Sequence, residues 1–366
     1  MTSRLVCAIV TTTLAAVSLY AQSERPRMAE EVFKNVQILK GIPVKEFMET
    51  MGFFAAATGM NCTQCHVEEA GGNWAKYADD NALKQTTRRM ITMMNAINQS
   101  YFGGRRFVTC YSCHRGLTRP LVTPDLAEQY GTPILREPDE ILRQADGAPS
   151  ADKLLDKYIQ ALGGAERLAK ITSFAAKGTY RGYDDPEPYP AEIYAKAPAQ
   201  RATIVHGADG DTTITYDGRN GFAAAPESAT PVSVLPLTGD DLNGAKIEAQ
   251  LSFPAQIRQA LNDWRVGFPV TINDREVQVV QGKPATGGRP LKLYFDTESG
   301  LLVRLLRFTD TPVGAVPTQI DYADYRDVSG IKVPFKWTTT WTDGRSITEL
   351  TGIELNVPID PSRFKN

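Results

Sequence analysis

The stretches Cys62-Thr63-Gln64-Cys65-His66 and Cys110-Tyr111-Ser112-Cys113-His114 decide how this chain is read. Together they hold four of its five cysteines and two of its three histidines. A CxxCH run is the pattern of covalent haem c attachment. Two thiols three positions apart on a helical turn reach the two vinyl groups on one porphyrin edge. The next residue then sets an imidazole beneath the iron as proximal ligand. Two CxxC pairs are also compatible with a Cys₄ zinc site or with two disulfides. Neither explains why a histidine directly follows each pair in a chain with three histidines. The motifs therefore imply two haem c groups, bound covalently through Cys62, Cys65, Cys110 and Cys113 and ligated by His66 and His114.

Haem c is assembled outside the cytoplasm, and the amino terminus agrees with export. Arg4 supplies a positive start, Leu5 to Tyr20 carries no charge, and Ala21 is a small residue at the expected cleavage point. Residues 1–21 read as a secretory signal peptide. The apolar run is shorter than the ~20 residues of a membrane span, and an uncleaved anchor is the alternative. Cys7 lies inside the run and would leave with it. The expected location is the periplasm or the outer face of the cell envelope. The 366 residues, 42% hydrophobic and 22% charged, make ordinary globular composition with room for two domains. Lys plus Arg number 40 against 42 Asp plus Glu, and no basic run stands out, so no nucleic-acid partner is expected.

A haem held by one histidine needs a second ligand or an open site. His206 is about ninety residues beyond the second motif, whereas every methionine except Met1 lies between Met28 and Met94. Met/His ligation marks electron-transfer haems and raises their potential. Pro43 to Thr58 has helical apolar spacing through Phe47, Met48, Met51, Phe54 and Ala55, with Gly59 as its stop. A longer helix runs from a cap at Asp79 or Asp80 to about Tyr101, with Leu83, Met90, Met94 and Ile97 on one face and Gly103-Gly104 as its stop. Helix, turn and CxxCH thus occur twice, a repeat of about 45 residues. A methionine on such a face is also ordinary core filler. Spacing alone does not choose between Met48 and Met51, or among Met90, Met93 and Met94.

Phe33-Lys34-Asn35-Val36-Gln37-Ile38-Leu39, then Glu46-Phe47, then Cys62 to His66 resembles the first haem unit of the cytochrome c subunit of the photosynthetic reaction centre. Ala75-Lys76-Tyr77, Arg88-Arg89-Met90, Ala96-Ile97-Asn98 and Val108 to Gly116 resemble its second unit. The resemblance spans about residues 28–122 and keeps order and spacing. It implies a distal methionine on each preceding helix, at Met51 for the first haem and Met90 for the second, with Met48 and Met94 as fallbacks. The full-length family member carries four haems, and this chain has two motifs. Gln99-Ser100-Tyr101-Phe102 lacks the histidine that serves a further haem in the family.

Beyond the haem units, Pro120, Pro124, Pro133, Pro138 and Pro149 mark an extended linker or wrapping segment. Ser150 caps a helix with Leu154, Leu155, Tyr158, Ile159 and Leu162 as its stripe, stopped at Gly163-Gly164. Short alternating runs follow: Arg201–Val205, Thr212–Tyr216, Val277–Val280, Leu291–Phe295, Leu301–Phe308 and Val333–Trp341. A helical insertion falls between Asp240 and Trp264. The pattern is an α+β domain with a large curved antiparallel sheet, and it faintly resembles the half-barrel of lipoprotein carriers. That resemblance rests on Tyr294-Phe295-Asp296 to Leu301-Leu302 and on Asp324-Tyr325-Arg326 to Pro334-Phe335. No nucleophile, base and orienter set is visible here. His206 reads as a strand-end histidine. Trp264, Trp337 and Trp341 read as core or rim aromatics. Asp184-Asp185, Glu187 and Asp240-Asp241 lack the spacing of a calcium loop.

The sequence thus describes a multi-domain chain. A signal peptide covers 1–21, a small α-helical dihaem cytochrome c domain 22–122, a proline-rich linker 123–150 and a β-rich α+β domain 151–366. Its expected work is single-electron transfer between a redox donor and an acceptor, including a membrane-bound redox complex. Arg88, Arg89, Arg105, Arg106 and Arg115 lie close enough to the motifs to pair with haem propionates. Two other classes are a dihaem peroxidase or oxidase, and a lipid- or lipoprotein-binding envelope protein with accessory haems.

Overall fold

The computed structural model describes residues 25–71, 73–132, 137–228 and 230–365. The expected signal peptide over 1–21 lies outside them. The first part of the chain is helical, with α1 (Ala29–Val32), α2 (Val44–Thr58), α3 (Cys62–Cys65), α4 (Ala82–Phe102), α5 (Cys110–His114) and α6 (Leu126–Tyr130). Pro43 occupies the N-cap of α2, and Gly59 closes it with a left-handed φ of 70°. Only glycine fits there twice over, because a Cβ on Gly59 would also collide with the Gly116 carbonyl oxygen.

The α4 cap falls on Asn81 rather than on Asp79 or Asp80. Asn81 Oδ1 accepts from Lys84 N at 2.9 Å while its Nδ2 donates to the Cys65 carbonyl at 2.9 Å. A carboxylate could make the first bond but not the second. The two aspartates instead hold Lys76 (3.1 Å) and Arg88 (2.8 Å).

The rest of the described chain adds α7 (Ala151–Ala161) and α8 (Ala165–Leu168), then β1 (Ser173–Gly182), β2 (Tyr189–Lys196), β3 (Gln200–Gly207), β4 (Gly210–Tyr216), β5 (Gly221–Ala224) and β6 (Val234–Pro236). The crossing helices α9 (Gly239–Leu251) and α10 (Ile257–Ala260) lead to β7 (Leu261–Val266) and β8 (Val270–Ile272). Strands β9 (Arg275–Pro284), β10 (Leu291–Asp296), β11 (Leu302–Thr311), β12 (Gly314–Val328), β13 (Ile331–Trp341) and β14 (Gly344–Leu355) complete the sheet. The helical insertion is therefore shorter than the sequence suggested, since Trp264 already belongs to β7.

All pairings are antiparallel, in the order β6-β5-β4-β3-β2-β1-β14-β13-β12-β11-β10-β9-β7, with β8 on β9. The chain starts mid-sheet, walks to one edge, crosses on α9 and α10 to the other, and walks back until β14 pairs with β1. Leu155, Tyr158 and Ile159 of α7 and its C-cap Leu162 pack with Ile247, Ile257, Leu291, Leu293, Phe295, Leu305 and Ile320 in the main core. Strand β10 is buried on both sides. Leu291, Leu293 and Phe295 meet that core, while Tyr294 packs with Ile141 of the preceding segment.

That proline-rich segment is a wrapping strap. Gln281 brackets Ile141, accepting from its N at 2.7 Å and donating to its O at 3.1 Å. Buried Lys292 pairs with Glu137 at 2.7 Å, and Tyr294 donates to the same carboxylate at 2.8 Å. The structure is thus a helical region followed by a large curved antiparallel sheet carrying a few helices. Among the described residues, no helix is long and apolar enough to cross a membrane.

Candidate functional site

Each CxxCH begins on a capped helical turn. Asn61 accepts from Gln64 N (2.9 Å) and Gln64 answers by accepting from Asn61 N (2.8 Å). Thr109 and Ser112 form the same reciprocal box at α5. The thiols Cys62, Cys65, Cys110 and Cys113 are all free. The two pairs sit on separate helices. No three His, Cys, Asp or Glu side chains among the described residues converge as a metal-ion site, so the Cys₄ alternative lacks its geometry. Burial raises the Cys110 thiol to about 11 and shifts Cys65 upward as well.

Both imidazoles are oriented the same way. His66 Nδ1 lies 3.2 Å from the Tyr77 carbonyl, and His114 Nδ1 lies 2.9 Å from the Leu117 carbonyl. A carbonyl only accepts, so Nδ1 carries the proton and Nε2 keeps its lone pair. A backbone carbonyl on the far nitrogen is the usual device for fixing a ligating histidine. Half-burial, and then the nearby Lys84, push His66 downward, which favours the neutral ring. The Tyr77 ring stands edge-on to His66 with centroids 4.8 Å apart.

Two asparagines knit the motifs together through α4. Asn81 ties its start to Cys65, as described, and Asn98 ties its end to the second motif. Asn98 Nδ2 donates to Val108 O (2.7 Å), and its Oδ1 accepts from Val108 N (3.0 Å). Helix α2 reaches the second motif as well, where Gly116 N donates to Ala57 O at 2.9 Å. The two units therefore interlock rather than follow one another like beads. Spacing in the sequence did not reveal Asn81, Asn98 or the carbonyl partners. Their only signal was an amide residue at each end of the long helix.

The candidate distal residues divide sharply. Met90 is 43% exposed and Met93 is 50% exposed on α4, whereas Met94 is 4% exposed and packs with Phe53, Ala57, Ile91, Val313 and Val316. The helical face expected to carry Met90 and Met94 together is thus split. On α2, Met51 is half-buried and Met48 is exposed. Met60, which the spacing argument passed over, places Sδ 3.9 Å from Cys65 Sγ. Around the motifs Leu83, Phe107, Tyr111 and Leu117 also stand exposed. Such side chains, with two thiols and a tethered imidazole per motif, suit the faces of a porphyrin. The residues present therefore fit haem c.

Remote from the motifs, a cavity of about 160 Å³ opens between the crossing helices and the sheet, lined by Tyr158, Phe174, Arg201, Glu248, Tyr322 and Trp337 among others. Arg201 Nη1 donates to Ser252 Oγ at 2.8 Å, and burial holds its pKa below the usual arginine value. His206 ends β3 and faces Asp211 (2.9 Å), as a strand-end histidine does. Asp241 is engaged by Lys45 (2.9 Å) and Asp240 by the Asp310 backbone (3.1 Å), so neither belongs to a calcium loop.

These features define a class: a helical CxxCH-bearing segment of cytochrome c type, joined to an open antiparallel sheet. More particularly, the family described as photosynthetic reaction centre cytochrome C subunit matches residues 3–124. The photosynthetic reaction center cytochrome c subunit of Thermochromatium tepidum is 41% identical over 102 residues, 26% of this chain and 23% of that protein. The subunit of the same name from Rubrivivax gelatinosus is 35% identical over 101 residues, 26% of this chain and 25% of that one. The chain thus spans about a quarter of the length of the curated relatives it matches. The chain is also similar to a LolA superfamily protein from Nitrosomonas europaea (13% identity, TM-score 0.41, 60% of this chain and 99% of the other). It is also similar to a DUF1329 family protein from Desulfovibrio piger (8% identity, TM-score 0.40, 58% and 96%).

Proposed function

We propose that this chain is an exported dihaem c-type cytochrome that carries single electrons between redox partners in the cell envelope. Residues 22–122 form the dihaem unit, 123–150 the strap and 151–366 the β-rich domain. Cys62, Cys65, Cys110 and Cys113 supply thioether sulfurs. His66 and His114 would hold the irons through Nε2, and Met51 and Met90 would supply the second ligands. One observation supports this above the others: at both motifs two free thiols stand beside an imidazole whose Nδ1 is already held by a carbonyl. The similarity of residues 3–124 to reaction-centre cytochrome subunits points the same way.

A haem c iron supplies one-electron oxidation and reduction. The chain supplies position, potential and exclusion of water. The Tyr77 and Leu117 carbonyls hold each imidazole in one tautomer and one orientation. A neutral thioether from Met51 or Met90 raises the potential. The exposed apolar side chains Leu83, Met93, Phe107 and Leu117 around the motifs would supply apolar cover to the porphyrins. The donor and acceptor are redox proteins.

The test is the haem-to-protein ratio of the mature chain, read from its alkaline pyridine spectrum and intact mass. The expected result is two covalent haems per chain, both low-spin and slow to take cyanide or carbon monoxide. A bare polypeptide mass, or colour stripped by acid–acetone, would refute it. Two covalent haems with one high-spin and ligand-binding would replace the carrier with the dihaem peroxidase or oxidase.

A further inference from the structure

The turn between β11 and β12 has the wrong composition for a loop in water. Hairpin tips are ordinarily polar and solvated. This one reads Thr311-Pro312-Val313-Gly314, and Val313 is 0% exposed. Thr311 Oγ1 closes the turn onto Gly314 O at 2.6 Å. The tip is plugged into the helical region, where Val313 and Val316 pack with Phe53, Ala57, Ile91 and Met94. Gly314 lies so close beneath the Phe53 ring that a Cβ there would collide with it.

Two further parts of the sheet region hold the same helix. Gly52 presses on the β13–β14 turn, where a Cβ on it would lie 2.8 Å from Thr342 Oγ1 and 3.0 Å from Asp343 Cγ. Lys45 pairs with Asp241 in the first turn of α9 at 2.9 Å. Lys45, Glu49, Gly52, Phe53 and Ala57 fall at helical spacing, so they form one stripe of α2. Met51 sits off that stripe, about 100° around the helix from Gly52. Helix α4 contributes Ile91 and Met94 to the shared cluster. Among the described residues it makes no ion pair with the sheet.

We propose that the sheet is the seat of the first distal ligand. The tip Val313-Gly314 and the turn Thr342-Asp343 are positioning residues that hold α2, and so the Met51 sulfur, at a fixed distance from the iron ligated by His66. This rests on the dihaem reading. Ligand constellations work when held to within about 0.5 Å, and an axial bond is a principal lever on haem potential. The second haem takes its methionine from α4, which meets the sheet tip at Ile91 and Met94 but, among the described residues, makes no ion pair with it, whereas α2 is held by three parts of the sheet region. The β-rich domain therefore acts more strongly on the first haem than on the second.

The experiment uses the full mature holoprotein with Val313→Ala, Gly314→Ala and Gly52→Ala. None changes charge, so a shift in potential reports ligand geometry rather than field. Redox titration should show one of the two midpoint potentials moving further than the other, with that haem's share of the ferric methionine–iron band in the far red weakened the more. The affected haem should be the one that Met51→Ala turns high-spin. Val280→Ala, which opens a cavity in the sheet core away from α2, should lower the melting temperature and leave both potentials in place. If one tip variant fails to fold, the other and Gly52→Ala decide. The inference is overturned if both potentials stay put in the folded variants, if both move equally, or if Val280→Ala gives the same shift. A wild-type chain with fewer than two covalent haems would instead remove the dihaem reading beneath it.

Discussion

The two CxxCH units share a motif, a capped helical turn and an imidazole tethered through Nδ1, yet they stand in different surroundings. Behind the first, α2 is gripped by three parts of the sheet region, and its stripe from Lys45 to Ala57 is buried against protein. Behind the second, the outer face of α4 carries Met90 and Met93 into the open. Charge differs as well. Residues 25–80 carry six basic and eight acidic side chains, whereas residues 81–124 carry seven basic ones and no acid. The capped turn and the tethered imidazole are thus local and repeated, while the packing and charge around them are non-local and unequal.

The heaviest blow to that comparison is removal of one anchor at a time. Cys62→Ser with Cys65→Ser, and separately Cys110→Ser with Cys113→Ser, should each cut the covalent haem content from two to one. Haem content by mass decides it. A chain that keeps two haems after either double change would show that the motifs are not independent sites.

Next in size is the distal ligand. Met51→Ala and Met90→Ala should each turn one haem high-spin with both haems still attached, which electron paramagnetic resonance reads directly. Met94→Ala should do the reverse. Its side chain is committed to the core with Phe53 and Val313, so its loss should cost about 2–5 kcal/mol of stability. Both haems should stay low-spin. If Met94→Ala produces the high-spin haem instead, the second ligand is one turn further along α4 than assigned.

The sequence made the two CxxCH turns legible because their residues are adjacent in the chain and each begins at its own cap. It also exposed α2, α4, α7 and six of the fourteen strands, β3, β4, β9, β10, β11 and β13, since each is set by its own periodicity and stops. It did not expose the α4 cap. Choosing Asn81 over Asp79 or Asp80 requires knowing that the same side chain must donate to Cys65 O. Nor did it show why Val313 sits at a hairpin tip. An apolar turn is a local inconsistency that only long-range packing resolves. The split of Met90 from Met94 has the same origin: three-dimensional neighbours, not helical phase, decide which face is core.

A smaller effect should come from single arginines. Arg105 and Arg115 are exposed and, among the described residues, make no ion pair. Arg105 instead lies over the Phe107 ring at 4.9 Å. If either pairs with a propionate of the second haem, Arg105→Ala or Arg115→Ala should lower that haem's potential, because a cation opposes the positive charge gained on oxidation. The first haem should not respond. Unchanged potentials in both variants would leave these arginines as a solvated basic face.

The smallest expected effect concerns the charge contrast. An anionic oxidant such as ferricyanide should collect preferentially at the basic second unit, since surface fields raise local counter-ion concentration. With a screening length of about 10 Å at 0.1 M salt, that advantage fades as ionic strength rises. Stopped-flow oxidation of the fully reduced protein should therefore show two phases with different salt slopes. The phase assigned to the second haem, through Met90→Ala, should slow with added salt, and the other should change little or quicken. A cationic cobalt oxidant should invert the order. Equal slopes for both phases with both oxidants would mean that electrons leave through one common exit, and the two units would then act as a relay rather than as two differently addressed ports.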